Sequence, residues 1–156
     1  MKQPSSPDAC LSLPADEILT LDKQLCFALY VASKEVIRKY KPLLSPLGLT
    51  YTGYIAMLAL WEKDNLTVKK LGEKLFLDSG TLTPLLKKLE GLGYIDRIRS
   101  TADERSVYVK LTPKGEKLKE EAATVPRKLL CSSGLDLEET IALLPALQKF
   151  IRQIAD

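Results

Sequence analysis

The residues best suited to chemistry in this sequence are a cysteine and two tyrosines in the stretch LDKQLCFALYVASKEVIRKY, residues 21–40. At about 100° per residue, one narrow stripe of a helix holds Cys26, Tyr30, Ile37 and Tyr40. The main apolar run of that helix is separate and comprises Leu21, Leu25, Leu29, Ala32 and Val36. A thiol aligned with phenols is either a small packed hydrophobe or a redox site, because phenols that donate to sulfur favour the nucleophilic thiolate. The spacing alone leaves both interpretations open.

The composition excludes most enzyme classes. The 156 residues contain no histidine, which removes histidine metal sites, Ser-His or Cys-His catalysis and the usual proton shuttle near neutral pH. The three cysteines, Cys10, Cys26 and Cys131, are too scattered for a zinc knuckle. We therefore expect one domain with no metal, no cofactor and no enzymatic activity.

The N-terminal segment MKQPSSPDACLSLPADE lacks the basic and apolar regions of a signal peptide. No apolar run approaches the roughly 18 residues of a membrane span. These features predict a cytoplasmic protein whose thiols are normally reduced.

The order of elements predicts a mainly α protein with a small β-hairpin wing. We expect a loose arm over 1–15, a dimerisation and sensing region over 16–50, a winged helix-turn-helix over 51–112 and C-terminal dimerisation helices over 113–156. The first helix is predicted from about 14–16 to Tyr40, and the chain turns within KPLLSPLGLT. A helix capped by Thr67 precedes one that begins at Asp78 or Ser79 and ends at the Gly91/Gly93 pair.

Two β-prone runs flank the polar STADER and predict a two-stranded hairpin. Beyond it, Thr112 and Pro113 open another helix, which Pro126 bends or breaks. Pro145 is expected to kink or divide the last helix.

The helix over 79–92 has the two faces of a DNA-reading helix. Its leucines, Leu82, Leu85, Leu86, Leu89 and Leu92, lie on one side, whereas the other carries small hydroxyls, a proline near the first turn and lysines, which suit base edges and phosphates. Residues 66–110 hold nine Lys/Arg against six Asp/Glu, so the entire net charge of +3 lies there. In the hairpin, Asp103 is expected to orient Arg105 toward a minor groove. The predicted DNA-binding residues are Ser79, Thr81, Thr83, Pro84, Lys87, Lys88, Arg97, Arg99, Asp103 and Arg105.

The stretch LGEKLFLDSGTLTPLLKKLEGLGYIDRIRSTADERSVYVKLTPKG resembles the MarR family of winged-helix regulators, with DSGTLTPLLKKLE and DER as its most specific motifs. The first helix is similar to that of the organic hydroperoxide resistance regulators. The resemblance covers roughly residues 17–156.

The resemblance implies a homodimeric repressor that binds an inverted repeat in double-stranded operator DNA. In that family the reactive cysteine, matching Cys26, is hydrogen-bonded to partner-chain tyrosines that match Tyr40 and Tyr51, and Tyr30 lies one turn away in its own chain. Within one ideal helix Cys26 and Tyr40 are about 21 Å apart, so they can meet only if two copies of the helix cross. The segment VPRKLLCSSGLDLEE resembles members with a second cysteine, which makes Cys131 the resolving thiol for an intersubunit disulfide.

Two other functions are open at this point. A thiol peroxidase would need a Thr or Arg beside its cysteine in a thioredoxin-like βαβ unit, and it would leave the DNA-reading segment unexplained. A regulator controlled by a small phenolic ligand, or a broader redox or virulence regulator, would keep the fold and make Cys26 secondary. Comparing operator release by cumene hydroperoxide and by salicylate separates this second alternative from the peroxide sensor.

Overall fold

The computed structural model describes residues 16, 19–100, 106–134 and 136–155. The chain divides into two compact units, Met1–Arg38 and Lys39–Asp156. The predicted arm with Cys10 and the wing-tip residues Asp103 and Arg105 lie outside the described residues.

The first long helix, α1, spans Leu25–Leu44 and follows a short 3-10 turn at Leu21–Lys23. The predicted limits of this helix were wrong at both ends. At the start, Gln24 is extended (φ −87°, ψ 112°) and separates the turn from α1. At the end, the helix continues through Pro42, since the missing N–H affects only one bond in its last turn. The chain turns afterwards, at a second 3-10 turn over Ser45–Leu47.

The core of the second unit is built around α2, Tyr51–Glu62. Thr50 caps this helix by accepting a hydrogen bond from the Gly53 N–H at 3.1 Å. Met57 and Leu60 are completely or almost completely buried within a cluster that extends from Leu44 to Val125. A helix buried on most of its surface gives the following helix-turn-helix a rigid support.

The helix-turn-helix consists of α3, Val68–Leu75, and α4, Ser79–Gly91. Both predicted starts are confirmed, because the Thr67 side chain accepts from the Lys70 N–H and the Asp78 carboxylate from the Thr81 N–H. The turn needs a glycine at position 72, where a Cβ would lie 2.9 Å from the Leu77 carbonyl oxygen. α4 ends within the predicted glycine pair.

The wing contains a three-stranded antiparallel sheet of order β1-β3-β2, formed by Leu66–Thr67, Val107–Leu111 and Ile95–Arg99. The hairpin of β2 and β3 was predicted, and its register pairs Arg97 with Val109. The third strand, β1, was not predicted. It pairs Leu66 with Val109, and two residues are too short to show a period in the sequence.

The C-terminal region contains α5 (Pro113–Ala122), α6 (Thr124–Ser133) and α7 (Leu137–Ile154). The predicted break near Pro126 is confirmed and lies at Ala123, so that the proline falls in the first turn of α6. Pro145 does not divide α7. That helix has no buried residue and exposes Leu137, Ile141, Leu143, Leu144, Ile151 and Ile154.

α5 is fixed to the core at Gly115. A Cβ there would lie 2.0 Å from the Tyr94 carbonyl oxygen. The indole Nε1 of Trp61 donates to the Gly115 carbonyl at 2.9 Å.

Among the described residues, no single helix is both long and apolar enough to cross a bilayer. The segments Leu25–Leu47 and Tyr51–Glu62 meet that test on length and composition only when taken together as a bent pair.

Candidate functional site

The outer face of α4 is open to solvent as the sequence predicted. Leu82, Leu85, Leu86 and Leu89 are buried. The predicted reading residues Ser79, Thr81, Thr83, Pro84, Lys87 and Lys88 are all exposed. Pro84 lies in the second turn rather than near the first, since α4 begins at Ser79. Leucine packing therefore anchors the helix while leaving two lysines and three hydroxyls available.

Two of those hydroxyls make local hydrogen bonds. Thr81 Oγ1 donates to Asp78 Oδ2 at 3.0 Å, and Thr83 Oγ1 donates to the Ser79 carbonyl at 2.8 Å. Because each hydroxyl donates its proton locally, each oxygen keeps lone pairs that can accept a hydrogen bond, which suits the amino groups of adenine and cytosine. The Thr81 backbone N–H, followed by its hydroxyl, lowers the pKa of Asp78. Asp78 thus stays an anionic helix cap.

The predicted strand arginines have different surroundings. Arg99 is exposed at the end of β2. Arg97 instead forms an ion pair with Glu90 of α4, with its Nη2 2.5 Å from Oε2. A groove of about 1130 Å³ lies between α3, α4 and the hairpin strands, and its lining includes Lys69, Ser79, Thr83 and Arg97.

Three tyrosines cluster where α1 ends and α2 begins, all within the second unit. The Tyr40 ring centroid lies 5.1 Å from that of Tyr51 and 5.8 Å from that of Tyr54. Tyr40 and Tyr51 are half-buried, whereas Tyr54 is 3% exposed. The structure therefore brings together two of the predicted thiolate-supporting residues.

Burial holds two phenols of the cluster, Tyr40 and Tyr54, in the protonated form. Burial, and secondarily the neighbouring Tyr54 and Tyr51, raises the pKa of Tyr40 above its ordinary value. Burial and then Tyr51 raise the pKa of Tyr54. A protonated phenol is a hydrogen-bond donor, so these two groups remain donors throughout the physiological pH range.

The two described cysteines are free and exposed. Cys26 lies in the first turn of α1, in the first unit, and Cys131 lies in α6, in the second. Tyr30 is 60% exposed, and the Lys34 ammonium lies over its ring, 5.9 Å from the ring centroid.

The sequence reasoning missed two residues at these sites. Tyr54 follows Tyr51 by three residues, so helical spacing already places both on one face. Glu90 and Arg97 are opposite charges on successive predicted elements, but sequence alone does not give the angle between a helix and a strand.

The family model for the transcriptional regulators SarA/Rot matches residues 38–122, more than half of the chain. The chain belongs to the SarA/Rot family. It is 49% identical over 138 residues to the organic hydroperoxide resistance transcriptional regulator of Bacillus subtilis, covering 86% of this chain and 94% of that protein. It is 46% identical over 134 residues to the regulator SarZ of Staphylococcus saprophyticus, covering 86% of this chain and 92% of that protein.

Among solved structures, reduced AbfR bound to DNA has a TM-score of 0.74 and 32% identity, covering 92% of this chain and all of that one. AbfR is a Staphylococcus epidermidis protein that has also been solved overoxidised on DNA and with a disulfide formed. This SarA/Rot protein is therefore a MarR-type winged-helix transcriptional regulator, and the predicted family and fold class are confirmed.

Proposed function

We propose that this SarA/Rot protein is a homodimeric repressor that leaves its operator when an organic hydroperoxide oxidises Cys26. The observation that carries the proposal is the cluster of Tyr40, Tyr51 and Tyr54, which keeps phenol donors packed together at the core of the DNA-reading unit. Phenols of one chain would donate to the Cys26 thiolate of the other and stabilise its charge.

The proposed chemistry starts at the Cys26 sulfur. The thiolate attacks the terminal oxygen of the hydroperoxide, the O–O bond breaks, and the alkoxide leaves and takes a proton to become an alcohol. Sulfur loses two electrons and becomes sulfenic acid. The Cys131 thiolate of the partner chain then attacks that sulfur, a disulfide forms, and hydroxide leaves as water after taking a proton.

The proposed DNA contacts combine the outer face of α4 with the hairpin. The hydroxyls and lysines of α4 enter the major groove, while Arg99 and the wing-tip residues Asp103 and Arg105 approach the backbone and the minor groove. A twofold dimer would copy its symmetry into an inverted repeat with half-sites about one helical turn apart.

The proposal is tested by fluorescence anisotropy with the gene's own promoter, before and after treatment with cumene hydroperoxide. We expect tight binding by the reduced protein, loss of binding after treatment, and recovery with a thiol reductant wherever the disulfide has formed. Binding that is unchanged by cumene hydroperoxide contradicts the sensor assignment.

A cavity favours a second candidate, control by a small phenolic ligand. It measures about 270 Å³ and lies between α2 and the α5–α6 junction, where Tyr54, Leu58, Trp61 and Pro126 line it. The lining also includes the charged residues Glu62 and Lys119. Mostly apolar walls with a phenol and a few charged groups suit an aromatic ring that carries a polar group. Operator release by salicylate, with no response to cumene hydroperoxide, would favour this function.

A further inference from the structure

The ion pair between Glu90 and Arg97 joins the DNA-reading helix to the wing. Glu90 is the penultimate residue of α4, and Arg97 is the central residue of β2. The Nε and Nη2 atoms of Arg97 lie 3.0 and 2.5 Å from the same carboxylate oxygen of Glu90. The hydrogen bond from Arg97 lowers the pKa of Glu90, so the carboxylate is ionised at neutral pH.

This pair differs from two of the other three ion pairs in the described part of the chain. Arg38–Glu35 and Lys69–Glu73 each lie within one helix and are largely exposed. Glu90 and Arg97 belong to different elements, and their side chains are only 37% and 27% exposed. An ion pair that is partly shielded from solvent, and in which two nitrogen atoms bind one carboxylate oxygen, is held more firmly than an exposed pair.

We propose that Glu90 is a positioning residue for DNA binding, which acts by holding Arg97 and thereby fixing the angle between the wing and α4. In this role Arg97 positions the wing and does not contact a phosphate. The inference rests on the proposed DNA binding. A helix in the major groove and a wing in the neighbouring minor groove must be presented together, so an error in the angle between them loses one contact or the other.

Glu90→Gln tests this proposal because two mechanisms predict opposite signs. Removing a negative charge beside DNA normally tightens binding, since the phosphate backbone attracts positive charge. If Glu90 positions the wing, Glu90→Gln instead binds about fivefold more weakly, despite the extra positive charge. Affinity is measured by anisotropy on the promoter at several salt concentrations, and circular dichroism verifies the fold.

The matched control is Glu73→Gln. This substitution makes the same charge change on α3. Glu73, however, lies 4.0 Å from its partner Lys69, and both side chains are largely exposed. We expect this variant to bind as well as the parent or more tightly.

A charge swap provides a second measurement. Glu90→Arg and Arg97→Glu each break the pair, whereas the double variant restores it with the parent's net charge. We expect the double variant to bind more tightly than Glu90→Arg alone, by about fivefold or more, although its net charge is less positive by two units. Glu90→Gln binding as tightly as the parent, or a swap that recovers nothing, would overturn the proposal. Failure of the parent to bind its promoter would instead overturn the proposed function.

Discussion

At the scale of single residues, the proposed role of the three tyrosines depends on hydrogen-bond donors that are already in place before oxidation. Tyr40 is packed against Tyr51 and Tyr54, and burial keeps its phenol protonated. Donors that need no rearrangement stabilise developing charge at little cost. The predictions at this scale concern the thiol and the phenols.

Cys26→Ser should bind the promoter like the parent and should not respond to cumene hydroperoxide, because a serine hydroxyl cannot form a sulfenic acid. Cys10→Ser is the control and should respond normally. Both are measured by promoter anisotropy. Continued release by the Cys26→Ser variant would exclude this cysteine as the sensor.

Tyr40→Phe and Tyr51→Phe should each preserve the fold and slow the oxidation of Cys26 about tenfold, since each removes a charge-assisted hydrogen bond. Stopped-flow oxidation measures the rate in a background that lacks Cys10 and Cys131. Tyr108→Phe, on β3, is the matched control. Equal rates in all three variants would leave the cluster with a packing role alone.

At the scale of helices and strands, the sequence predicted what local signals determine. Thr67, Asp78 and Thr112 are helix caps, and each accepts a hydrogen bond from the N–H three residues later. The start of α1 and the strand β1 were not predictable in this way. No local propensity specifies the extended conformation of Gln24. The pairing of Leu66 with Val109 joins residues far apart in the sequence, so it depends on tertiary structure.

Gly115→Ala should destabilise the protein by about 1–3 kcal/mol, because the new Cβ would overlap the Tyr94 carbonyl and force backbone movement. The control is Gly91→Ala, where a Cβ meets nothing within 4 Å. We expect that variant to be unchanged or about 1 kcal/mol more stable. Urea unfolding measures both free energies, and equal values would exclude the close approach.

Acid should weaken the N-terminal cap of α4 and its ion pair with β2. The pKa values of Asp78 and Glu90 are lowered in the folded protein, so their stabilising contribution is complete above the unfolded values of about 3.9 and 4.3. It is lost as the pH falls through those values toward the folded ones. Thermal unfolding from pH 7 to pH 3 should show this loss, and the variant with both Asp78→Asn and Glu90→Gln should show a flatter profile.

At the scale of the whole molecule, α7 carries the strongest indication of assembly. None of its residues is buried, and six of its large apolar side chains are exposed. An apolar face of this kind fits the predicted dimerisation region over 113–156. In the proposed mechanism, such a dimer would allow Cys26 and Cys131 of different chains to react.

Cumene hydroperoxide should convert the protein to a covalent dimer on a non-reducing gel, and Cys131→Ser should prevent the conversion. This variant should stop at sulfenic acid, detectable by dimedone labelling, and should lose DNA less completely, because no bond then constrains the two chains. The comparison is made with Cys10→Ser, which should cross-link like the parent. Cross-linking by Cys131→Ser would rule out the two-cysteine mechanism.

The hydrogen bond from Trp61 to the Gly115 carbonyl also gives the protein a built-in optical reporter. Trp61 is the only tryptophan in the sequence, so fluorescence excited at long wavelength arises from the junction of α2 and α5 alone. Tyr54 lines the same cavity as Trp61 and belongs to the tyrosine cluster. Tyrosines that can transfer excitation energy therefore lie near the single tryptophan that can accept it. The emission wavelength of Trp61 and the efficiency of tyrosine-to-tryptophan energy transfer would therefore report structural change at this junction in real time, without any attached dye.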